Sequence, residues 1–185
     1  QLDHTVLGYR KLYAFNGSNN FFVTAEHPFW TTDGWKAIDP EATIEESVDL
    51  YNELTGPLEV VLYASSSALD TDFTARLTDV YPDGRSIMMA EGIIRARFRN
   101  GYTKEEFLQP GKVEEYRIQL YPTSNVFFSG HSLRVDISSS NFPRFSRNLN
   151  TGEDVGTGVN IEIASQTIFH SEEYPSHIIL PLIPK

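Results

Sequence analysis

A chain of 185 residues, 40% hydrophobic and 22% charged, carries enough apolar side chains for one ordinary core, or one core plus a fragment, and reads as globular. Its 25 acidic residues against 15 basic ones give a formal charge of −10, which repels phosphate backbones and anionic lipid, so nucleic acid and membrane are set aside as partners. The lack of cysteine excludes a disulfide framework, thiolate metal ligands and thiol nucleophiles, and fits a reducing, cytoplasmic setting.

No apolar run is long enough to span a bilayer as a helix, and the first residues lack the basic and apolar regions of a signal peptide. Residue 1 is Gln, so an upstream segment is expected to be missing or processed.

In chain order the first distinctive stretches are Leu12-Tyr-Ala-Phe-Asn-Gly17 and Phe22-Val-Thr-Ala-Glu-His-Pro-Phe-Trp30, followed by Gly34-Trp35. These residues resemble the middle of a Hint domain, the self-cleaving fold of inteins and hedgehog autoprocessing domains. The resemblance implies that Thr24 and His27 match its Thr-x-x-His block, whose side chains hold and protonate a scissile amide. The chain departs from the pattern elsewhere. It starts Gln1-Leu-Asp-His4 with no Cys or Ser nucleophile, and its five histidines are followed by Thr, Pro, Ser, Ser and Ile, never by the Asn that cyclises. A motif without its partner groups is not a site, so the segment reads as a truncated remnant without self-cleavage.

Residues 41–56 are acidic and suggest a short helix stopped by Gly56 and Pro57. The domain boundary is therefore drawn at Thr55–Pro57, with 1–54 as a short β-rich appendage and linker and 55–185 as the main domain. Residues 1–54 either fold independently, pair onto the main domain or stay disordered.

From Leu58 onward apolar residues recur with period two, as in strands with one buried face. The inward sets are Leu58, Val60, Leu62 and Ala64; Phe73, Ala75 and Leu77; Ile94, Ala96 and Phe98; Tyr116, Ile118 and Leu120; Leu133, Val135 and Ile137; and Val159, Ile161 and Ile163. Arg95, Arg97 and Arg99 alternate with the third set and are expected to face outward. Tyr81-Pro-Asp-Gly-Arg85 and Gln109-Pro-Gly-Lys112 are turn sequences, and the only helical turn suggested after Leu58 lies over Thr103–Leu108. About eight short strands with longer crossing connections suit an all-β jelly-roll sandwich of the galactose-binding-like kind.

Four stretches carry a second resemblance: Leu69–Arg85, Ala90-Glu-Gly-Ile-Ile-Arg-Ala-Arg-Phe-Arg99, Tyr121-Pro-Thr-Ser-Asn-Val-Phe127, and above all Ile137-Ser-Ser-Ser-Asn-Phe-Pro-Arg-Phe-Ser-Arg-Asn-Leu-Asn-Thr-Gly152. Over roughly residues 55–185 the chain resembles the C-terminal domain of the X-Pro dipeptidyl-peptidase and cocaine-esterase hydrolases. The resemblance implies a non-catalytic β-domain that packs against an α/β-hydrolase domain, in cis or as a separate chain. It places the Ser, Asp and His of the triad in that other domain. Independently, the Gly-x-Ser-x-Gly elbow that holds an α/β-hydrolase nucleophile does not occur in this sequence.

No cofactor or metal is expected. Asp70 and Asp72, with Asp79 or Asp83, offer oxygens for a hard cation but too few, and acidic residues at strand ends ordinarily meet water. His131, His170 and His177 lie in separate segments with no carboxylate tied to them by spacing, and Ser138, Ser139 and Ser140 read as local backbone partners. Trp30 and Trp35 read as packing residues rather than a sugar platform. The loop Asn141–Asn148 is the candidate interface: Arg144 and Arg147 have guanidinium groups that fork onto carboxylates or main-chain carbonyls, with Asn141 and Asn148 beside them. The same residues equally suit locking the loop to its own sandwich. The rival readings are a free-standing carbohydrate- or protein-binding module and a self-processing Hint fusion. A domain parted from its partner is also expected to expose an apolar patch and self-associate.

Overall fold

The computed structural model describes residues 53–181 in full and, as backbone alone, residues 52 and 182 and the segments 8–13, 20–24 and 44–47. Among the described residues ten strands form two antiparallel sheets: β1 Gly8–Tyr13, β2 Asn20–Thr24, β3 Ile44–Ser47, β4 Asn52–Ser66, β5 Asp72–Val80, β6 Ser86–Arg95, β7 Glu114–Phe127, β8 Ser132–Ser138, β9 Ser165–Phe169 and β10 His177–Leu182.

The long β4 is the axis of the first sheet. One edge pairs with β7 from Asn52↔Phe127 to Ala64↔Glu114. Its other edge is shared end to end, β10 taking the first half (Val61↔His177, Leu54↔Leu182) and β9 the second (Tyr63↔Phe169, Ser66↔Gln166). The appendage completes this sheet, β1 pairing with β10 and β2 with β9. The second sheet runs β3-β8-β5-β6. The expectation left open for residues 1–54 thus resolves, for the described backbone, into strands paired onto the sandwich.

The core lies where the period-two sets place it. Leu58, Val60, Leu62 and Ala64 of β4 and Tyr116, Ile118 and Leu120 of β7 face Phe73, Ala75 and Leu77 of β5 and Leu133 and Val135 of β8, all buried. Both turn sequences form turns. The Gly84 amide donates to the Tyr81 carbonyl (2.9 Å) and the Lys112 amide to that of Gln109 (3.0 Å), with Gly84 and Gly111 at positive φ. Gly92 of β6 answers a close approach between sheets: a Cβ there would collide with the Gln119 carbonyl of β7.

Four expectations are corrected. Residues 52–56 are the start of β4, not the end of a helix. The Gly56-Pro57 pair that reads as a helix stop is a bulge, where the β4–β7 register shifts between Gly56 and Leu58 and the missing proline N–H is not needed. Residues 103–108 are turn and extended chain, because the Glu106 and Leu108 amides donate to the carbonyls of Arg97 and Leu69 (2.8 Å each) rather than within a helical turn.

The third expected set breaks after Ile94, where β6 ends at Arg95 and Ala96–Phe98 wind into a 3-10 turn. That rotation carries Arg97 inward, to 5% exposure, and Arg99 is turned in as well, its guanidinium bonding the Ala96 and Glu106 carbonyls, instead of either facing outward. Val159, Ile161 and Ile163 lie outside the described sheets and are exposed.

Candidate functional site

The outer side of the second sheet is crossed by the segment after β8, which is fastened at both ends by buried polar side chains. At the first anchor the Asn141 amide donates to Glu91 Oε2 (2.7 Å), and its carbonyl oxygen accepts from the Arg76 guanidinium. Glu91 comes from β6 and Arg76 from the neighbouring β5, where the register sets them opposite each other. Arg76 Nε lies 3.4 Å from Glu91 Oε2, while Arg144 Nε approaches Glu91 Oε1 at 2.5 Å. Both oxygens of a buried carboxylate are thereby occupied, which its burial demands.

The second anchor uses the acidic pair at the entry to β5. Asn148 Nδ2 donates to both Asp70 Oδ2 and Asp72 Oδ1 (2.8 Å each), and its own Oδ1 accepts the Asn150 amide (2.9 Å). Asp72 receives a two-point contact from Arg95, Nε to Oδ1 at 2.9 Å and Nη2 to Oδ2 at 3.1 Å. Asp70 takes the Arg97 amide on Oδ1 (2.9 Å) and Arg97 Nε on Oδ2 (2.8 Å). The expectation that these acids meet water is corrected, because Asp70 and Asp72 are fully buried. Burial pushes the Asp72 carboxyl above the usual carboxylate range, with Arg95 and Asn148 pulling the other way. Among the described residues no cluster of acidic and histidine side chains is arranged to hold a metal ion.

Between the anchors the loop is open to solvent. Arg144 is half exposed, its guanidinium 5.6 Å from the Tyr121 ring and 5.7 Å from that of Phe145. Phe142 and Pro143 are exposed and Arg147 partly so. The four candidate interface residues therefore divide by geometry: Asn141 and Asn148 face inward as fasteners, while Arg144 and Arg147 remain reachable.

The remaining candidates that are described with side chains meet local partners. His131 Nδ1 meets Asp79 Oδ1 at 2.8 Å, a partner hidden from sequence spacing, and its ring lies 4.2 Å from that of Tyr81. His177 Nδ1 meets the Pro175 carbonyl (2.7 Å), and His170 is buried beside the same proline. Ser138 Oγ serves the Ser140 backbone. Asp83 pairs with Arg85 at the surface (2.7 Å). Thr24 closes β2, its backbone paired with Ser165; His27, Trp30 and Trp35 lie outside the described residues.

Among the described residues the architecture is an all-β sandwich whose buried polar side chains fasten one long loop. Residues 39–179 match the family described as the X-Pro dipeptidyl-peptidase C-terminal non-catalytic domain, and the chain belongs to that family. It is similar to the cocaine esterase of Rhodococcus sp. (strain MB1 Bresler), 44% identical over 141 residues, which are 72% of this chain and 24% of that protein. A putative serine esterase of Mycobacterium tuberculosis (strain CDC 1551 / Oshkosh) is 30% identical over 111 residues, 51% of this chain and 18% of that protein. The matched segments thus span about a quarter or less of these curated relatives.

Among solved structures, an α-amino acid ester hydrolase superposes with a TM-score of 0.72 at 27% identity, over 76% of this chain and 25% of its own. An aminopeptidase from a marine sediment Thaumarchaeota archaeon shares the fold with a TM-score of 0.81 at 23% identity, over 95% of this chain and 37% of its own.

Proposed function

We propose that this chain is the accessory β-sandwich of a serine hydrolase, packing on an α/β-hydrolase domain and helping to wall its substrate cleft. The observation that carries the reading is the family match over residues 39–179, joined to 44% identity with a quarter-length segment of a cocaine esterase. The parent chemistry is acyl transfer to water, on an ester or amide or on a dipeptide ending in proline. Residues 55–185 form the jelly-roll domain, and 1–54 are an appendage and linker with a Hint-like remnant at Thr24 and His27, lending β1, β2 and β3 to the two sheets.

The loop Asn141–Asn148 lies at the partner interface. Support comes from its construction, because two buried asparagines hold the backbone still while Arg144 and Arg147 stay available to carboxylates or carbonyls of a facing domain. A preset loop loses less conformational entropy on docking than a floppy one. The chain's acidic surface keeps nucleic acid and anionic membrane off the partner list.

In this reading the chain alone performs no acyl transfer. Incubation with a serine-directed fluorophosphonate probe tests it: the expected result is no labelled band, and stoichiometric labelling of one serine would overturn it.

A further inference from the structure

The segment after the fastened loop carries an apolar row that the fold does not use. Val159, Ile161 and Ile163 are 84%, 57% and 73% exposed, and their spacing of two puts all three on one side of extended chain. The intervening residues hold the segment down. The Glu162 amide donates to the Leu149 carbonyl (3.0 Å), the Glu162 carbonyl accepts from Asn150 Nδ2 (2.8 Å), and Glu153 receives the amides of Val159 (3.0 Å) and Asn160 (3.3 Å).

In extended chain the N–H and C=O of one residue point to the same edge and those of the next to the opposite edge. With Glu162 bonded inward, this alternation turns the peptide groups of Ile161 and Ile163 to the other edge, where no backbone partner is found among the described residues; the Val159 amide, bonded to Glu153, lies outside the alternation. Phe107, 46% exposed, lies against Gly152 beside Glu153, the residue that holds the Val159 and Asn160 amides.

The rim decides the occupant. Glu153, Asp154 and Glu162 flank the row, with Glu105 joined to Glu153 through Arg97, and the cations among them are already committed: Arg97 is buried against Asp70, Arg95 is paired with Asp72, and Lys104 with Glu106. The Glu153 carboxyl is held below the usual range by Asn160 and the adjoining amides, and that of Asp154 by the Gly156 amide, so both stay charged near neutrality. Two copies meeting through this surface would oppose like charges, on chains already at −10. A complementary partner presents an apolar strip flanked by Lys or Arg.

We infer that residues 159–163 are an edge strand by which this domain docks a basic-rimmed, apolar strip of its α/β-hydrolase partner, through main-chain pairing at Ile161 and Ile163 and burial of the Val159, Ile161 and Ile163 side chains. This rests on the accessory-domain reading above and adds the surface and its charge. It also continues that interface, since Leu149 and Asn150, which hold the edge strand, directly follow the fastened loop.

The test uses the intact 185-residue chain and, as partner, the Rhodococcus cocaine esterase with the segment matching this chain deleted. Hydrogen exchange is read amide by amide, with and without partner. The expected result is at least about tenfold slower exchange at Ile161 and Ile163 on binding, with Glu162 protected in both states. V159S/I161S/I163S is expected to weaken binding at least about tenfold without moving the melting midpoint of the free chain, and Glu162→Lys to weaken it and reduce its salt dependence.

Binding that leaves these amides unprotected overturns the surface but not the accessory reading. No binding at all overturns both. Protection that appears on raising the concentration of the chain alone assigns the surface to a second copy and overturns the inference. If the truncated esterase does not stay folded, the chain is fused in place of the deleted segment. The triple variant must then lower the fusion's midpoint by several degrees more than that of the free chain, and equal shifts overturn the inference.

Discussion

Arg97→Met asks how much the second anchor contributes. The substitution keeps the aliphatic stem and removes a guanidinium that bonds Asp70 Oδ2 (2.8 Å), the Glu153 carbonyl (3.1 Å) and Glu105 (3.3 Å) and lies 5.0 Å from the centre of the Phe107 ring. At 2.8 Å the gross attraction to Asp70 is about 6 kcal/mol for an effective dielectric near 20. The net loss is smaller, because Asp70 keeps the Arg97 amide and Asn148 as donors, but a fully buried carboxylate then lacks its counter-charge.

Breaking such a pair costs roughly 3–5 kcal/mol, and the two remaining donors place this case near 3. For a chain of this size that is a fall of about 6–12 °C in midpoint. Thermal and urea denaturation of wild type, R97M, D70N and D70N/R97M measure it. The double variant is expected to lose less than the sum of the singles, since removing both charges leaves neither stranded. Arg85→Met, which breaks an exposed pair with Asp83, serves as reference and is expected to leave the midpoint unmoved. An R97M midpoint equal to that of R85M would refute the claim that a buried pair fastens this anchor.

Three further outcomes follow from the same geometry. Because burial raises the folded-state pKa of Asp72, the native chain takes up a proton there before the unfolded chain does. Stability therefore falls as pH rises from the unfolded carboxyl value through the folded one, and Asp72→Asn lacks this term. Urea titrations at pH 7 and pH 4.5 should show wild type gaining relative to D72N on acidification; a shrinking advantage contradicts the burial argument. Gly92→Ala forces a methyl into the Gln119 backbone and is expected to cost about 1–3 kcal/mol or more by equilibrium denaturation, whereas a neutral result would mean that β6 and β7 part easily. Asn141→Ala leaves Glu91 short of one donor and should cost about 1–3 kcal/mol while speeding exchange of the amides at 142–147; unchanged exchange would show that the loop is held by other means.

The sheets were legible because their signal is local. Alternation at Leu58–Ala64, Phe73–Leu77, Tyr116–Leu120 and Leu133–Val135 follows directly from one face being buried. The strands that escaped it break that pattern: β9 buries Gln166 beside Ile168, its amide satisfied by Thr71 Oγ1 (2.8 Å), a contact from a distant segment. Val159, Ile161 and Ile163 show the converse, alternation kept where the fold itself offers no cover. Arg97 escapes the pattern because a charge between apolar residues ordinarily faces water, and its burial is tolerable through Asp70, Glu105 and the Glu153 carbonyl, none of them adjacent to it in sequence. The candidate loop was found from its composition, yet the roles within it were not readable. Asn141 and Asn148 fasten while Arg144 remains half exposed, which depends on where Glu91, Asp70 and Asp72 lie in three dimensions.

The accessory role is tested most directly by replacement. The cocaine esterase relative is prepared intact, with its matching segment deleted, and with that segment replaced by this chain, and ester hydrolysis is measured for all three. The account predicts that deletion abolishes or sharply reduces hydrolysis and that this chain restores a substantial part of it, while showing none alone. Full activity of the deleted enzyme, or hydrolysis by this chain without it, would contradict the account.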